Sequence, residues 1–185
     1  MHRPLLLDER SRPDFGDHYL RLLEDAKHVV VATSRIRLRG LRLEPRALGA
    51  PRGIRVLLME LSGLTLSMEA ERLAEEPRGR DRLLSLVALL NTGRLQVRSS
   101  PLGGWSPDFS VFTGSAGEET VLIGPHWLDR PYPHRGPALG SLHVGAAATS
   151  VRLRFEELWA EAHPVGDAVL DLLSSALERC SPLRG

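Results

Sequence analysis

Residues 106–131 of the chain read SPDFSVFTGSAGEETVLIGPHWLDRP. Two short apolar runs, at residues 109–112 and 120–123, lie on either side of a turn rich in glycine and serine. This pattern predicts two strands joined as a β-hairpin. A hairpin of this outline is typical of a catalytic site whose side chains stand at the strand ends. The residues at those ends are Ser106, Asp108, Thr113, Gly124, Pro125 and Trp127.

Helical and extended patterns alternate outward from the hairpin. Apolar residues at helical spacing predict a helix over residues 14–26, and the β-branched run HVVVATS predicts a buried strand over residues 28–34. The alternation predicts an α/β sandwich in which helices flank a mixed β-sheet. We predict further strands over residues 53–61, 94–99 and 141–148, and further helices over residues 64–76 and 81–90, after Ser150 and after Pro164.

The composition is typical of a soluble globular protein. Of the 185 residues, 42% are hydrophobic and 25% are charged. We expect one domain over residues 1–185, with a core over residues 15–165 and an amphipathic C-terminal helix over residues 166–180. The net charge of +1 predicts no strong long-range attraction to nucleic acid or to a membrane.

Cysteine content and hydropathy exclude several classes of protein. Cys180 is the only cysteine, which excludes a disulfide within the chain and a cysteine-based metal centre. No apolar stretch approaches the length of a membrane span, and the first residues have too short an apolar core for a signal peptide. We therefore expect a cytoplasmic protein with no membrane partner, no metal and no cofactor.

The order of the segments resembles that of the phospholipase D family, phosphodiesterases and nucleases that are built around an HxK…D…GSxN motif. The resemblance covers about residues 15–165. It implies a mechanism in which two motif copies meet, a histidine attacks phosphorus, and lysine and asparagine hold the phosphate oxygens without a metal. The segments that carry it, with the hairpin between the third and the fourth, are VVVATSRIRLRGL, PRGIRVLLMELSG, LLNTGRLQVRSS and SLHVGAAATSVRLRFEELWAEAHPV.

The family's motif residues are missing at the matching positions. Gly124 is kept, whereas Ser106 stands for the nucleophilic histidine and Asp108 for the phosphate-binding lysine. The aspartate, the serine and the asparagine are replaced by Thr113, Pro125 and Trp127. Lys27 is the only lysine, and Asp25 stands two residues before it, so the chain contains no HxK. The resemblance therefore implies a member without the family's catalytic residues, and we lean towards a protein that is not an enzyme.

Arginine is concentrated between the first two predicted strands. On a strand, Arg35, Arg37 and Arg39 share one face, with Arg42 close behind. Such a row can contact nucleic-acid phosphates. It can equally be a solvated sheet edge whose charge prevents aggregation. The sequence favours neither interpretation.

Histidines and tryptophans around the hairpin offer other sites. His126 and His143, with His134 between them, support a rebuilt phosphodiesterase site, although their spacing is not that of metal ligands. Simple loop and sheet histidines are the other interpretation. Trp105 and Trp127 can stack on a base or cap the core.

We hypothesise a catalytically inactive binding or assembly subunit. Family members often act on DNA and some accompany helicases in phage defence, so the resemblance implies a nucleic-acid-associated complex with weak nucleic-acid binding or a protein partner. Apolar residues of the hairpin, such as Phe109, Val111 and Phe112, predict a homodimer. The alternatives are a phosphodiesterase or nuclease with a site rebuilt around His126 and His143, and a ligand-sensing domain that uses the vacant cleft.

Overall fold

The computed structural model of the chain describes residues 5–7, 15–38, 49–101, 108–124 and 140–180. Eight strands and five helices form within these residues. The strands are β1 (Leu5–Leu7), β2 (His28–Thr33), β3 (Gly53–Leu58), β4 (Leu95–Ser99), β5 (Phe109–Thr113), β6 (Glu119–Ile123), β7 (Gly140–Val144) and β8 (His163–Pro164). The helices are α1 (Phe15–Asp25), α2 (Gly63–Glu75), α3 (Pro77–Asn91), α4 (Ala146–Glu161) and α5 (Gly166–Arg179).

All the described strands belong to one mixed sheet in the order β1-β7-β6-β5-β2-β3-β4-β8. Strands β2, β3 and β4 are parallel, and every other neighbouring pair is antiparallel. The predicted hairpin is confirmed as β5 and β6, and the predicted α/β sandwich with a mixed sheet is confirmed as well.

The helix predicted to begin at residue 81 begins one turn earlier, at Pro77, as α3. Pro77 separates α2 from α3, as predicted, but it also begins α3, since proline has no amide hydrogen and its fixed φ suits the first helical turn. Gly79 lies inside this turn because it packs on α2, where an added Cβ would lie 2.3 Å from the Leu73 carbonyl oxygen.

The strand predicted over residues 141–148 is present in its first half and wrong in its second. Strand β7 ends at Val144, and α4 begins at Ala146 instead of at Ser150. Gly145 has a φ of 68°, which breaks the extended backbone, and the alanines that follow favour a helix. Ser150 does not cap the helix, because its Oγ donates to the Ala146 carbonyl oxygen one turn back.

The two faces of the sheet are covered unequally. On one face, residues such as Val29 and Val31 pack into a large core with α1, α2, α3 and α5. On the other, residues such as Val30 and Ala32 pack into a smaller core with α4. We call these the four-helix face and the single-helix face.

Six strands end side by side at the end of the sheet where the motif positions Asp108 and Gly124 lie. It holds the carboxyl ends of β2, β3, β4 and β6 together with the amino ends of β5 and β7. We call it the motif end. The residues that mark it are Thr33, Leu58, Ser99, Phe109, Ile123 and Ser141.

Candidate functional site

Two of the motif positions meet at the motif end. The amide of Gly124 donates to the carbonyl oxygen of Asp108 at 2.8 Å. Thr33, which is fully buried, donates from Oγ1 to Asp108 Oδ1 at 3.2 Å. Gly124 has a φ of 136°, a backbone conformation that favours glycine. Asp108 is therefore tied to the ends of both neighbouring strands, β2 and β6.

The chemistry of Asp108 opposes phosphate binding. Its side chain lies on the four-helix side, since the next residues of the same parity are Ser110, which bonds to Tyr19 on α1, and Phe112 of the large core. A carboxylate accepts hydrogen bonds, whereas a phosphate needs donors and positive charge. Where the resemblance requires a lysine, the chain thus holds an acceptor bonded to a threonine.

Thr113 lies away from this group. It is the last residue of β5, at the end of the sheet opposite to the motif end, where its carbonyl oxygen accepts a hydrogen bond from the Lys27 amide at 2.8 Å. Four strand residues separate it from the motif end, which corresponds to about 13 Å along a strand. The structure does not bring Thr113 together with Asp108.

His143 faces the opposite side of the sheet from Asp108. It pairs with Val121 of the smaller core, and directly opposed residues of an antiparallel pair share one face. Its Nε2 lies 2.9 Å from the Oγ of Ser141, two residues earlier on β7. His143 and Ser141 form a hydroxyl–imidazole pair on the single-helix face.

Several sequence-predicted residues lie outside the described part of the chain. The partner that the rebuilt site would need, His126, is among them. The full set is Arg39, Arg42, Trp105, Ser106, Pro125, His126, Trp127 and His134.

The arginine segment, residues 35–38, is not a strand. Here the expectation of a row on a strand face is wrong for its described part, because the chain leaves the sheet after Thr33 and Leu38 turns into the large core. Arg35 is nevertheless exposed and Arg37 half-buried, while Ile36 packs against the core. The segment starts at the motif end, where the single hydroxyl hydrogen of Thr33 is shared between Asp108 Oδ1 and the Arg35 carbonyl oxygen, each 3.2 Å from Oγ1.

On the single-helix face, ion pairs connect the sheet to α4. Arg55 of β3 donates two hydrogen bonds to Glu156, at 2.5 and 2.7 Å, and these bonds lower the pKa of Glu156 against the opposing effect of burial. Glu119 of β6 accepts a hydrogen bond from Arg152 one turn earlier on α4. The two ion pairs run in opposite directions between sheet and helix, so a shift of α4 by one turn would bring like charges together.

Aromatic rings of α4 pack against arginines of the sheet on the same face. The Arg55 guanidinium lies 5.3 Å from the ring centroid of Phe155, and Arg98 lies 4.8 Å from that of Trp159. Arg98 also donates to the Trp159 carbonyl oxygen at 2.8 Å. These arginines are committed to the packing of α4.

Sequence reasoning missed Thr33 and Glu69. Thr33 is the polar residue that ends β2, directly after the apolar run of residues 29–32. Glu69 lies on the buried side of α2 between Leu66 and Leu73, with only 7% of its surface exposed, and it accepts the Leu38 amide at 2.7 Å. A charge at a buried helical position was the available signal.

The hairpin's apolar residues do not require a partner. Phe109, Val111 and Phe112 are buried in the chain's own two cores, so the sequence-based argument for a dimer loses that support. Large apolar side chains are exposed nearby instead. Leu64 and Met68 stand on α2, one turn apart, with 75% and 61% of their surfaces exposed.

The described ranges contain neither a metal-binding cluster nor a membrane-spanning helix. No group of three histidine, cysteine, aspartate or glutamate side chains there is arranged to hold a metal ion. Within the same ranges, no helix combines the length and the apolar character that crossing a membrane requires.

Comparison with known proteins relates the fold to solved structures. No family model and no curated protein matches the sequence. The structure is similar to that of Nuc from Salmonella typhimurium, a phospholipase D family member, with a TM-score of 0.53 and 11% identity. It is similar to NucT from Helicobacter pylori with a TM-score of 0.55 and 10% identity.

Both likenesses extend over nearly the whole molecule. Each covers 88% of this chain and 98% of the other chain. Because the identities are so low, the likeness shows the fold alone, which is a mixed sheet flanked by helices. The chain therefore has the phospholipase D fold.

Proposed function

We propose that this protein is a catalytically inactive module of phospholipase D fold that binds and assembles within a nucleic-acid-associated complex in the cytoplasm. The observation that carries the proposal is the hydrogen-bonded Asp108 at the position where the resemblance requires a lysine. A carboxylate held there repels a phosphodiester instead of stabilising its developing charge.

Inactivity is also supported by the whole sequence. The chain contains no HxK, so neither the nucleophilic histidine nor the lysine of that motif can come from another position. Loss of residues that act as a unit costs about a millionfold in rate. A second copy of the same chain could not restore the motif either.

Nucleic-acid binding is supported by the arginine segment. Arg35 and Arg37 make no ion pair with the described part of the chain, and Arg35 is exposed beside the motif end. Guanidinium groups free of carboxylates are available to phosphates. Since the net charge is only +1, we expect weak, sequence-independent binding that depends strongly on salt.

A second copy is the partner that we propose for the motif end. Leu64 and Met68 stand on the first turns of α2, which starts from the carboxyl end of β3 at this same end of the sheet. An exposed apolar pair beside a cationic segment suits a protein contact. A two-fold dimer, or a different protein partner in a larger complex, would cover it.

The test combines binding and hydrolysis on the purified chain. We expect retention of single- or double-stranded DNA at low salt, with a log–log salt slope of about −2 to −3 for about three phosphates. We expect no hydrolysis of bis-p-nitrophenyl phosphate or DNA above background. Clear metal-independent turnover would overturn the proposal.

One observation favours a second candidate function. The 2.9 Å contact between Ser141 and His143 is a nucleophile–base geometry, which supports phosphodiesterase or nuclease activity from a rebuilt site. In that case turnover would exist in the wild type and disappear in His143→Ala. A wild type without turnover leaves the pair as an ordinary hydrogen bond between neighbours on a strand.

A further inference from the structure

A buried carboxylate anchors the arginine segment from inside the core. Glu69 is only 7% exposed, and its Oε2 accepts the Leu38 amide at 2.7 Å. Burial of a charged group is costly unless hydrogen bonds compensate it. Here one of those bonds goes to the backbone of an irregular segment 31 residues earlier in the chain. The large core alone does not require an acid at this position.

The segment is fixed on both sides of its arginines. Before them, the Glu60 amide donates to the Ser34 carbonyl oxygen at 3.1 Å. Between them, the Arg35 carbonyl oxygen lies 3.2 Å from Thr33 Oγ1 and shares its hydroxyl hydrogen with Asp108. After them, Leu38 is 1% exposed in the large core and its amide is held by Glu69. Contacts made by other elements thus set the path of the backbone through both arginines.

We propose that Glu69 is a positioning residue that pre-orders Arg35 and Arg37 for contact with the phosphate backbone of a nucleic acid. This inference rests on the proposed function. A flexible segment would lose backbone freedom when it binds, and this loss weakens affinity. The free protein has already ordered the segment, so binding loses less entropy.

Glu69 affects binding in two opposite ways, and this makes the inference testable. As a negative charge near the arginines it weakens phosphate binding, so its removal alone should strengthen the complex. As an anchor it strengthens binding, so loss of the acceptor should weaken the complex. Glu69→Gln removes the charge and keeps a carbonyl oxygen, whereas Glu69→Ala removes both. Glu75→Ala is the matched control, because it removes a charge from the exposed side of α2.

The experiment measures the affinity of the full chain for a labelled single-stranded oligonucleotide across a salt series, and the deuterium exchange of the Leu38 amide. We expect Glu69→Ala to bind about tenfold more weakly than the wild type, with an unchanged salt slope because the same phosphates are contacted. Its Leu38 amide should exchange faster. Glu69→Gln and Glu75→Ala should bind as well as the wild type or slightly better.

Three results would count against the inference, and they are distinguishable. Equal affinities of the Ala and Gln variants, or unchanged exchange at Leu38, would overturn it while wild-type DNA binding stands. A wild type that is not retained on DNA at low salt would overturn the proposed function and the inference together. If Glu69→Ala does not fold, Glu69→Met keeps the volume, removes the acceptor and takes its place in the same comparison.

Discussion

Arg35 follows strand β2 and Arg55 lies on the neighbouring strand β3, yet the surroundings of the two arginines differ completely. Arg55 is bonded twice to Glu156 and lies against Phe155 and Trp159. Arg35 is exposed at the motif end and forms no ion pair with the described residues. The number of arginines alone therefore does not define a binding surface. Arginines paired with carboxylates stabilise the fold, and those without carboxylate partners are available for a ligand.

The largest expected effect concerns the ring of Trp159, against which the guanidinium groups of Arg55 and Arg98 lie. Trp159→Ala removes a buried ring that stacks on Phe155 at 5.5 Å between centroids. We expect the free energy of unfolding to fall by about 3–5 kcal/mol, as for other large core aromatics. Urea unfolding measures it. A loss no greater than that of an exposed residue would mean that α4 is not packed as described.

The next effect compares the two arginines directly. Arg55→Ala loses two charge-assisted hydrogen bonds and the ring contacts, so we expect a loss of about 1–2 kcal/mol in the free energy of unfolding. Arg35→Ala removes an exposed side chain and should change it by less than about 0.5 kcal/mol. Equal losses in urea unfolding would remove the distinction between paired and available arginines.

A smaller effect follows from the lowered pKa of Glu156. Because the folded-state pKa lies below the unfolded value, the ion pair stabilises the protein above the unfolded pKa, and this stabilisation is lost as the pH falls through the folded pKa. The side chain is 36% exposed, so we expect less than about 1 kcal/mol.

Unfolding measured from neutral to acid pH checks this effect. Glu156→Gln should lack the acid-dependent increment that the wild type loses. Glu157→Gln, which removes a more exposed carboxylate next to it, is the control and should retain the increment. Identical pH profiles for the wild type and Glu156→Gln would contradict the assignment.

Most of the fold could be predicted from the sequence, because hydrophobic periodicity and the residues that end strands and helices are local properties. The β-branched run of β2, the glycine-rich turn of the hairpin and Pro77 each marked an element or a boundary correctly. The errors arose where tertiary contacts decide. Leu38 is pulled out of an extended pattern by the large core and by Glu69, which lies far away in sequence.

The candidate site was predictable only in part. The absence of an HxK is visible in the sequence itself. That His143 faces away from Asp108 depends on the strand register, which no local pattern reveals. Likewise, the apolar hairpin residues suggested an interface, and only the three-dimensional packing showed that they fill the chain's own cores.

Nucleic-acid binding by the arginines is tested most directly by DNA retention of the variant in which Arg35, Arg37 and Arg39 are all replaced by Gln. We predict that the wild type binds DNA at low salt, that the triple variant does not, and that both unfold at the same urea concentration. Arg55→Gln, in contrast, should keep DNA binding and lose stability. Retention of DNA by the triple variant, or no retention by the wild type at low salt, would show that these arginines are not a nucleic-acid-binding surface.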